Sequence, residues 1–248
     1  MLGAFELEGS AANVLSESTP ARVVAILGMH RSGTSCLTGS LQEAGLSLGE
    51  IHTWNPHNLK GNRENQQFVD LHDAILEANG GAWDNPPKKE IVWSDEHIAS
   101  AKALLADHAS EAVFGFKDPR ALLVLEGWKT LVPDLEFVGI FRHPNSVARS
   151  LEKRSSKVWE ETWDLWHKYN TIMLQEYKKN KFPILDFDDH ESILDEKIFH
   201  VAGQMGLNED SGEQKFYSSE LKSSVDLVSR TPPWRIRRLH KRLKKVGL

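Results

Sequence analysis

Short apolar runs alternate along the chain with longer stretches of helical periodicity. Four of the short runs are rich in β-branched and aromatic residues, at 22–28, 113–117, 136–142 and 182–187. Continuous apolar runs of this length are typical of buried parallel strands. Helical patterns lie between and after them, at 35–44, 66–78, 94–110, 120–131, 144–153, 156–179 and 191–205. Strands that alternate with helices predict an α/β fold, a three-layer sandwich with a central parallel sheet.

Local signals mark several of the predicted helix ends. Ser94 has the side chain preferred at an N-cap, and Pro144 suits the first turn of a helix. Gly45 and Gly206 directly follow helical patterns, where a glycine commonly ends a helix. These signals place most helix ends independently of the apolar periodicity.

The length of 248 residues fits one large domain. We divide the chain into a flexible N-terminal arm (1–21), the main domain (22–229) and a basic amphipathic tail (230–248). The start lacks the pattern of a signal peptide, and no apolar run approaches the roughly 20 residues of a membrane span. The single cysteine, Cys36, excludes an intrachain disulfide and a Cys-rich zinc site. We therefore expect a cytoplasmic protein.

Charge is distributed unevenly between the body and the tail. The net charge is −5, yet eight of the 30 Lys and Arg residues lie in 230–248, which contains no acidic residue. The remainder holds 22 basic and 35 acidic residues, so the body is strongly acidic. This balance argues against a nucleic-acid partner. The cations of the tail interleave with apolar residues at helical spacing, which suits either peripheral contact with an anionic membrane or docking on the acidic body.

The segment 28–35, GMHRSGTS, lies between a predicted strand and a predicted helix. Backbone N–H groups at a helix N-terminus bind anions, and Ser32, Thr34 and Ser35 add hydroxyl donors. Gly33 permits close approach of the backbone to an anion. The alternative is that this turn merely caps the helix.

The same segment partly matches the Walker A pattern. Gly28, Gly33 and Ser35 have the required spacing, but Thr34 occupies the position of the phosphate-binding lysine. The positive charge lies instead at Arg31. Because the lysine clamps the β- and γ-phosphates, its absence counts against ordinary triphosphate hydrolysis.

A second basic segment, 141–150 (FRHPNSVARS), follows the third predicted strand. Ligands of open α/β sheets bind at the carboxyl ends of the strands, where Arg142 emerges. Ser150 follows about two helical turns later. An arginine and a hydroxyl so placed could hold a second phosphate, and the alternative is that Arg142 pairs with a surface carboxylate.

Together these segments resemble the two nucleotide-binding motifs of sulfotransferases that use 3′-phosphoadenosine 5′-phosphosulfate (PAPS), of the bacterial and carbohydrate type. The resemblance runs from about residue 22 to 187 and implies a fold like that of P-loop nucleoside-triphosphate hydrolases. It implies that the product nucleotide is 3′-phosphoadenosine 5′-phosphate (PAP). The matching residues are Arg31, Ser32, Gly33, Thr34 and Ser35 for the 5′-phosphosulfate, and Arg142, Pro144 and Ser150 for the 3′-phosphate.

The resemblance also suggests catalytic residues. Arg31 has the position of the cation that stabilises the leaving group. Glu64 lies in a Lys-Gly-x-x-Glu segment (60–64) like that which carries the glutamate base of carbohydrate sulfotransferases, and the alternative is favourable charge at the next helix N-terminus. Asp118 is the second candidate base, with a local ion pair to Arg120 as its alternative. Lys117 could contact the sulfate or the acceptor.

We expect transfer of a sulfuryl group from PAPS to a hydroxyl of a small-molecule or carbohydrate acceptor, more specifically a carbohydrate or glycolipid-like one, without a metal. Enzymes acting on small phenols place a histidine base where this chain has 117–120, KDPR. Trp159, Trp163 and Trp166 share a helical face, which predicts core packing or an aromatic acceptor wall. Trp54 and Trp83, which lie in predicted loops, are alternative candidates for contact with the acceptor. The alternatives are a P-loop kinase or NTPase and a non-catalytic PAP-binding protein on a degenerate sulfotransferase fold.

Overall fold

The computed structural model describes residues 19–51, 61–207 and 230–248. Within them, four parallel strands form one sheet in the order β2-β1-β3-β4. The strands are β1 (Val23–Leu27), β2 (Phe114–Lys117), β3 (Glu136–Phe141) and β4 (Ile184–Asp186). Each lies within a predicted apolar run and is slightly shorter than it. The predicted three-layer α/β architecture with a central parallel sheet is confirmed.

Helices cover both faces of the sheet. They are α1 (Thr34–Glu43), α2 (Gln66–Ala78), α3 (Asp95–Ala106), α4 (Leu125–Leu131), α5 (Pro144–Ser155), α6 (Trp159–Lys179), α7 (Glu191–Gln204) and α8 (Trp234–Val246). Ser94 caps α3 by accepting a hydrogen bond from the amide of His97, and Pro144 opens α5, as predicted. Gly206 has a φ of 66° just beyond α7, which confirms it as the residue that ends this helix.

Side chains of β1 alternate between the two faces of the sheet, and all are buried. Ala25 and Leu27 point into a core formed with α2–α6 and α8, whereas Val24 and Ile26 point into a core formed with α1 and α7. A strand that is buried on both faces needs a continuous apolar sequence, because neither face meets water. This explains why β1 is recognisable in the sequence.

The strand order places the topological switch point at β1. The first connection leads from β1 to its neighbour β2, and the next crosses to β3 on the opposite side of β1. Loops that leave the carboxyl ends of strands at a switch point diverge and open a crevice for ligands. The segments after β1, β2 and β3 therefore meet at one edge.

The prediction of one continuous helix over 120–131 is wrong, because two short helices occupy this stretch. A 3₁₀ helix, Pro119–Leu122, comes first, and α4 begins only at Leu125. Asp118 accepts a hydrogen bond from the amide of Arg120 and so caps the 3₁₀ turn. Val124, with φ of −103° and ψ of 16°, breaks the helical conformation between the two. Apolar periodicity cannot show this break, because both short helices bury their apolar residues in the same core.

The C-terminal helix α8 packs on the body. Ile236, Leu239 and Leu243 are buried in the core that contains α6, and the amide of Leu248 donates to the carbonyl of Ile184 at 2.9 Å. Lys244 pairs with the buried carboxylate of Asp186 at 2.5 Å. Of the two arrangements that the sequence allowed for the tail, the structure shows docking. In the described ranges, no helix combines the length and apolar character that crossing a bilayer requires.

Candidate functional site

The loop between β1 and α1 is held tightly against the ends of β3 and β4. A Cβ atom at Gly28 would lie 2.6 Å from the carbonyl oxygen of Ile140, and one at Gly33 would lie 2.2 Å from the ring of Phe187. Gly33 also has a φ of 90°, and Arg31 has a φ of 67°, so the loop contains two left-handed residues. The glycines are thus required by close backbone approach at both positions.

The loop contains one hydroxyl without a hydrogen-bond partner, that of Ser32, whereas the hydroxyl of Ser35 donates to the carbonyl of Asn62 at 3.0 Å. Ser32 is fully buried and its hydroxyl has no hydrogen-bond partner. No side chain caps the N-terminus of α1, whose N-cap is Gly33. A buried polar group without a partner is rare in native proteins and calls for an explanation such as an anion that is held in the loop. The alternative of a self-capped turn does not fit, because neither Ser32 nor Ser35 caps the helix.

The two basic segments are in direct contact. The Nε of Arg31 donates to the Oγ of Ser150 at 2.8 Å, although 119 positions separate them in the chain. Burial lowers the pKa of Arg31, and the nearby positive charges of Arg154 and Arg142 lower it further. Three positive charges this close repel one another, and a bound anion would offset their repulsion. The structure therefore joins both predicted phosphate-binding segments in one cationic cluster.

Arg142 lies at the end of β3, where it is only 5% exposed. Its guanidinium lies 5.1 Å from the centre of the Phe187 ring, and its Nε is 3.5 Å from Asp188 Oδ1. That carboxylate accepts a much shorter bond, 2.5 Å, from the amide of His143 through its other oxygen. The alternative partner that the sequence allowed for Arg142, a carboxylate, is thus present, but the contact is long and the carboxylate also accepts from the backbone.

Lys117 is the main contact of Glu64, although the sequence indicated it only as a possible contact of the sulfate or the acceptor. The Nζ of Lys117 donates to Glu64 at 2.7 Å and lies 3.4 Å from the hydroxyl of Ser35. Ser35 belongs to the loop at residues 28–35, which we call the donor loop because the resemblance assigns it to the sulfuryl donor. Lys117 is almost fully buried, and Glu64 is 16% exposed. Glu64 is not the N-cap of α2, since Asn65 caps that helix through the amide of Gln67. The pair therefore places a carboxylate beside the loop.

The neighbours of Glu64 in sequence play different parts. Arg63 donates to the side chain of Gln42 at 3.1 Å, and Lys60 lies outside the described residues. The cation in contact with Glu64 comes from β2, 53 positions further along the chain. In the sequence, the only indication that Lys117 could contribute to the site was its position at the end of a predicted strand, at the edge where ligands bind.

Asp118 is fully buried in a polar cluster. One carboxylate oxygen meets His72 Nδ1 at 2.7 Å, and the other accepts from Arg120 Nη1 at 3.0 Å and from its amide. Trp128 donates its indole N–H to His72 Nε2, which leaves Nδ1 as the protonated nitrogen that donates to Asp118. Burial alone raises the pKa of Asp118, but the hydrogen bond from His72 and the charge of Arg120 outweigh burial and hold it below its usual range.

This cluster bears on the choice of a base. Asp118 has both oxygens engaged and no exposed surface, whereas Glu64 has one observed partner and partial exposure. A general base needs hydrogen-bond access to the proton that it removes. The geometry favours the ion-pair alternative for Asp118 and leaves Glu64 as the better candidate.

Aromatic residues form a wall beside the donor loop. The ring of His30 lies 4.4 Å from that of Trp83, whose carbonyl accepts from the hydroxyl of Tyr169. Burial, reinforced by the charge of Arg120, lowers the pKa of His30 to about 3, so its imidazole is neutral. Its Nε2 is buried and has no hydrogen-bond partner. Trp83 and His30 are thus available to a ligand at this edge, while Trp54 lies outside the described residues.

The tryptophans of α6 are part of the core. Trp159, Trp163 and Trp166 are at most 5% exposed, and Trp166 donates to the carbonyl of Arg142 at 2.9 Å. This confirms the core interpretation, and it gives Trp166 the additional role of fixing the strand end that carries Arg142. His143 accepts from the amide of Asn145 and so caps α5.

In the parts of the chain that the structure describes, no group of three His, Cys, Asp or Glu side chains could hold a metal ion. The residues present are suited to anionic groups. The unpaired hydroxyl of Ser32, the helix N-terminus without a side-chain cap and the cluster of Arg31 and Arg142 supply donors for more than one anionic group.

Comparison with known proteins identifies the fold. No protein-family model matches the chain. No curated protein sequence matches it either. Among solved structures, the chain is similar to the sulfotransferase domain of the olefin synthase from Synechococcus PCC 7002, with a TM-score of 0.57 and 14% identity. The match covers 92% of this chain and 96% of that domain. The chain therefore has the α/β fold of a sulfotransferase domain.

Proposed function

We propose that this chain transfers a sulfuryl group from PAPS to a hydroxyl acceptor. The observation that carries the proposal is the hydrogen bond between Arg31 and Ser150, at 2.8 Å. It brings the loop expected to hold a 5′-phosphosulfate into contact with the helix expected to hold a 3′-phosphate. A nucleotide with anionic groups at both positions is the ligand that this double site fits best.

The loop residues have distinct roles toward the donor. Ser32, Gly33, Thr34 and Ser35 surround the N-terminus of α1, where hydroxyl and amide donors meet the 5′-phosphosulfate. Arg31 lies beside them and neutralises the negative charge that develops on the bridging oxygen when the sulfur–oxygen bond breaks. Arg142 and Ser150 bind the 3′-phosphate.

Glu64 serves as the general base. In the transfer, the acceptor oxygen forms a bond to sulfur, the bond from sulfur to the bridging oxygen breaks, and the acceptor proton passes to the carboxylate of Glu64. Lys117 contacts Glu64 and lies near Ser35, so a single side chain sets the position of the base relative to the donor loop. Such positioning contributes to rate because the reacting groups must lie in line.

The acceptor that we propose is a carbohydrate or a glycolipid-like hydroxyl compound. Trp83 offers a flat aromatic surface next to His30, and such surfaces pack against the apolar faces of sugar rings. The region in which phenol sulfotransferases carry a histidine base reads KDPR here (117–120), and its Asp118 is engaged with His72 and Arg120. The carboxylate of Glu64 then remains as the base for the acceptor hydroxyl.

Nucleotide binding separates this function from its alternatives. The melting temperature of the protein is measured with PAP, with ATP and magnesium, and with no ligand. PAP should raise it by several degrees, since a ligand at about 100 times its Kd adds about 2.7 kcal/mol. Stabilisation by ATP with magnesium and not by PAP would indicate a P-loop kinase or NTPase. PAP binding without sulfuryl transfer to any acceptor of a carbohydrate and lipid panel would indicate a non-catalytic binding protein.

A further inference from the structure

A groove of about 320 Å³ lies between α6 and α8, on a different side of α6 from Tyr169. Tyr169 faces the candidate site through Trp83, so the groove is separate from the donor loop. Four cations line it, Lys178, Arg235, Arg238 and Arg242, together with the ring of Trp234 and the uncharged polar side chains of Thr171 and Gln175.

Within the described residues, three of the four groove cations have no carboxylate partner. Arg235 pairs with Asp164 and Lys244 pairs with Asp186, but Lys178 and Arg242 have no carboxylate partner within the described ranges. The guanidinium of Arg238 lies 5.8 Å from the centre of the Trp234 ring. Three neighbouring cations without a carboxylate partner in the described part of the chain can bind an anion.

The docking of α8 determines which of its residues a partner can reach. Ile236, Leu239 and Leu243 are buried against the body, so the apolar face cannot insert into a bilayer. The outward face presents cations together with Trp234, which is 64% exposed. Without apolar insertion, a single helix binds a membrane weakly.

We propose that this groove binds an anionic glycan. The three cations suit carboxylate or sulfate groups, the ring of Trp234 suits the apolar face of a sugar, and Thr171 and Gln175 suit its hydroxyl groups. Single-stranded nucleic acids are bound by successive stacking aromatics, whereas Trp234 is the one aromatic ring besides His167 that lines this groove. A concave shape also favours a ligand chain over a flat lipid surface.

The spacing of the cations fits a linear ligand. Arg235, Arg238 and Arg242 follow at intervals of three and four along α8, and seven residues of helix span about 10 Å. Lys178 contributes a further charge from the opposite wall of the groove. The inference does not rest on sulfuryl transfer, and where both hold, the groove would retain an anionic polymer near the enzyme.

Calorimetric titration with a heparin-derived tetrasaccharide in 0.15 M salt tests the groove. The groove variant combines Lys178→Gln, Arg238→Gln and Arg242→Gln. The matched control combines Arg237→Gln, Lys241→Gln and Lys245→Gln, which removes the same charge from α8 outside the groove. Maltotetraose, a single-stranded oligonucleotide of equal charge and phosphatidylserine-containing vesicles serve as comparison ligands.

PAP titration of each variant checks that the fold and the donor loop are intact.

The groove variant should weaken tetrasaccharide binding at least about tenfold, because charge-assisted hydrogen bonds are lost. The control should change it less than about threefold, since none of its three residues lines the groove and exposed charges are screened by salt. Trp234→Ala should also weaken it severalfold. Equal losses in both triple variants, absence of tetrasaccharide binding to the wild type, or tighter binding of the oligonucleotide or of the vesicles would overturn the proposal. PAP affinity stays the same throughout, so a failure here is distinct from a failure of the donor site.

Discussion

The Nε of Arg31 donates a hydrogen bond to the hydroxyl of Ser150 at 2.8 Å, and this contact joins the loop after β1 to helix α5. Arg31 is held in a left-handed conformation with a φ of 67°, which aims its side chain across the edge of the sheet. In the function that we propose, the contact would hold both predicted phosphate-binding segments in place before the nucleotide binds, and preorganisation reduces the ordering cost of binding.

Ser150→Ala tests this contact. The substitution removes a hydroxyl that orients Arg31, so PAP affinity should fall about tenfold, in line with the loss of one hydrogen bond to a charged group. Titration calorimetry measures the change, and the melting temperature without ligand should be nearly constant. The exposed serine at the end of the same helix, changed in Ser155→Ala, provides the control. Wild-type PAP affinity in Ser150→Ala would show that the contact has no part in nucleotide binding.

Glu64→Gln tests the base. Loss of a general base lowers kcat by about 10²–10⁴-fold, while PAP affinity should stay within about threefold because Glu64 does not contact the phosphates. Single-turnover rates with a responsive acceptor measure the chemical step. A variant with unchanged kcat would place the base elsewhere. Asp73→Asn, in which a half-exposed partner of Arg120 is neutralised, serves as the control for a charge change nearby.

Asp118→Asn separates a structural role from catalysis. Removing one partner of a buried charged pair costs about 3–5 kcal/mol, so the free energy of unfolding should fall by an amount of this order. Urea denaturation at neutral pH measures it. If the folded fraction of the variant retains kcat, Asp118 is a structural residue. A variant of wild-type stability that has lost kcat would instead make Asp118 the base.

Acid should destabilise the protein through His30. Its pKa is lowered to about 3 in the folded state by burial, whereas an unfolded histidine titrates near 6.5. Because the unfolded state binds the proton more readily, stability is complete above pH 6.5 and falls as the pH drops toward 3. Between pH 6.5 and 5 the loss is about 2 kcal/mol. Urea denaturation at both pH values should show a smaller loss in His30→Asn, and equal losses would contradict this assignment.

The sequence was sufficient for the strands and for the position of the loop between β1 and α1, because their signals are local. β1 is apolar throughout since both faces are buried, and the loop residues Gly28 and Gly33 are required by contacts with the nearest strand ends. The contact of Lys117 with Glu64 was not predictable, because it joins elements 53 positions apart and depends on the packing of α2. The arrangement of Asp118 depends likewise on His72 and on the indole of Trp128.

The tail illustrates a second limit of the sequence. Helical spacing of apolar and basic residues predicted the amphipathic helix α8, but the same pattern fits a membrane surface and a protein surface equally well. Only the burial of Ile236 and Leu243 and the pair between Lys244 and Asp186 show that the apolar face lies on the body. The amphipathic pattern shows that the apolar face of the helix will be buried, but only the three-dimensional packing shows against which surface.

The 3′-phosphate site is the most distinctive element of the proposed function, and titration of PAP and of 5′-AMP into wild type and Arg142→Ala tests it most directly. The two nucleotides differ only in the 3′-phosphate. We predict that Arg142→Ala weakens PAP about 10–100-fold, the loss expected for charge-assisted hydrogen bonds, and changes 5′-AMP less than about threefold. Equal losses for both nucleotides, or no loss for PAP, would contradict the assignment of Arg142 to the 3′-phosphate.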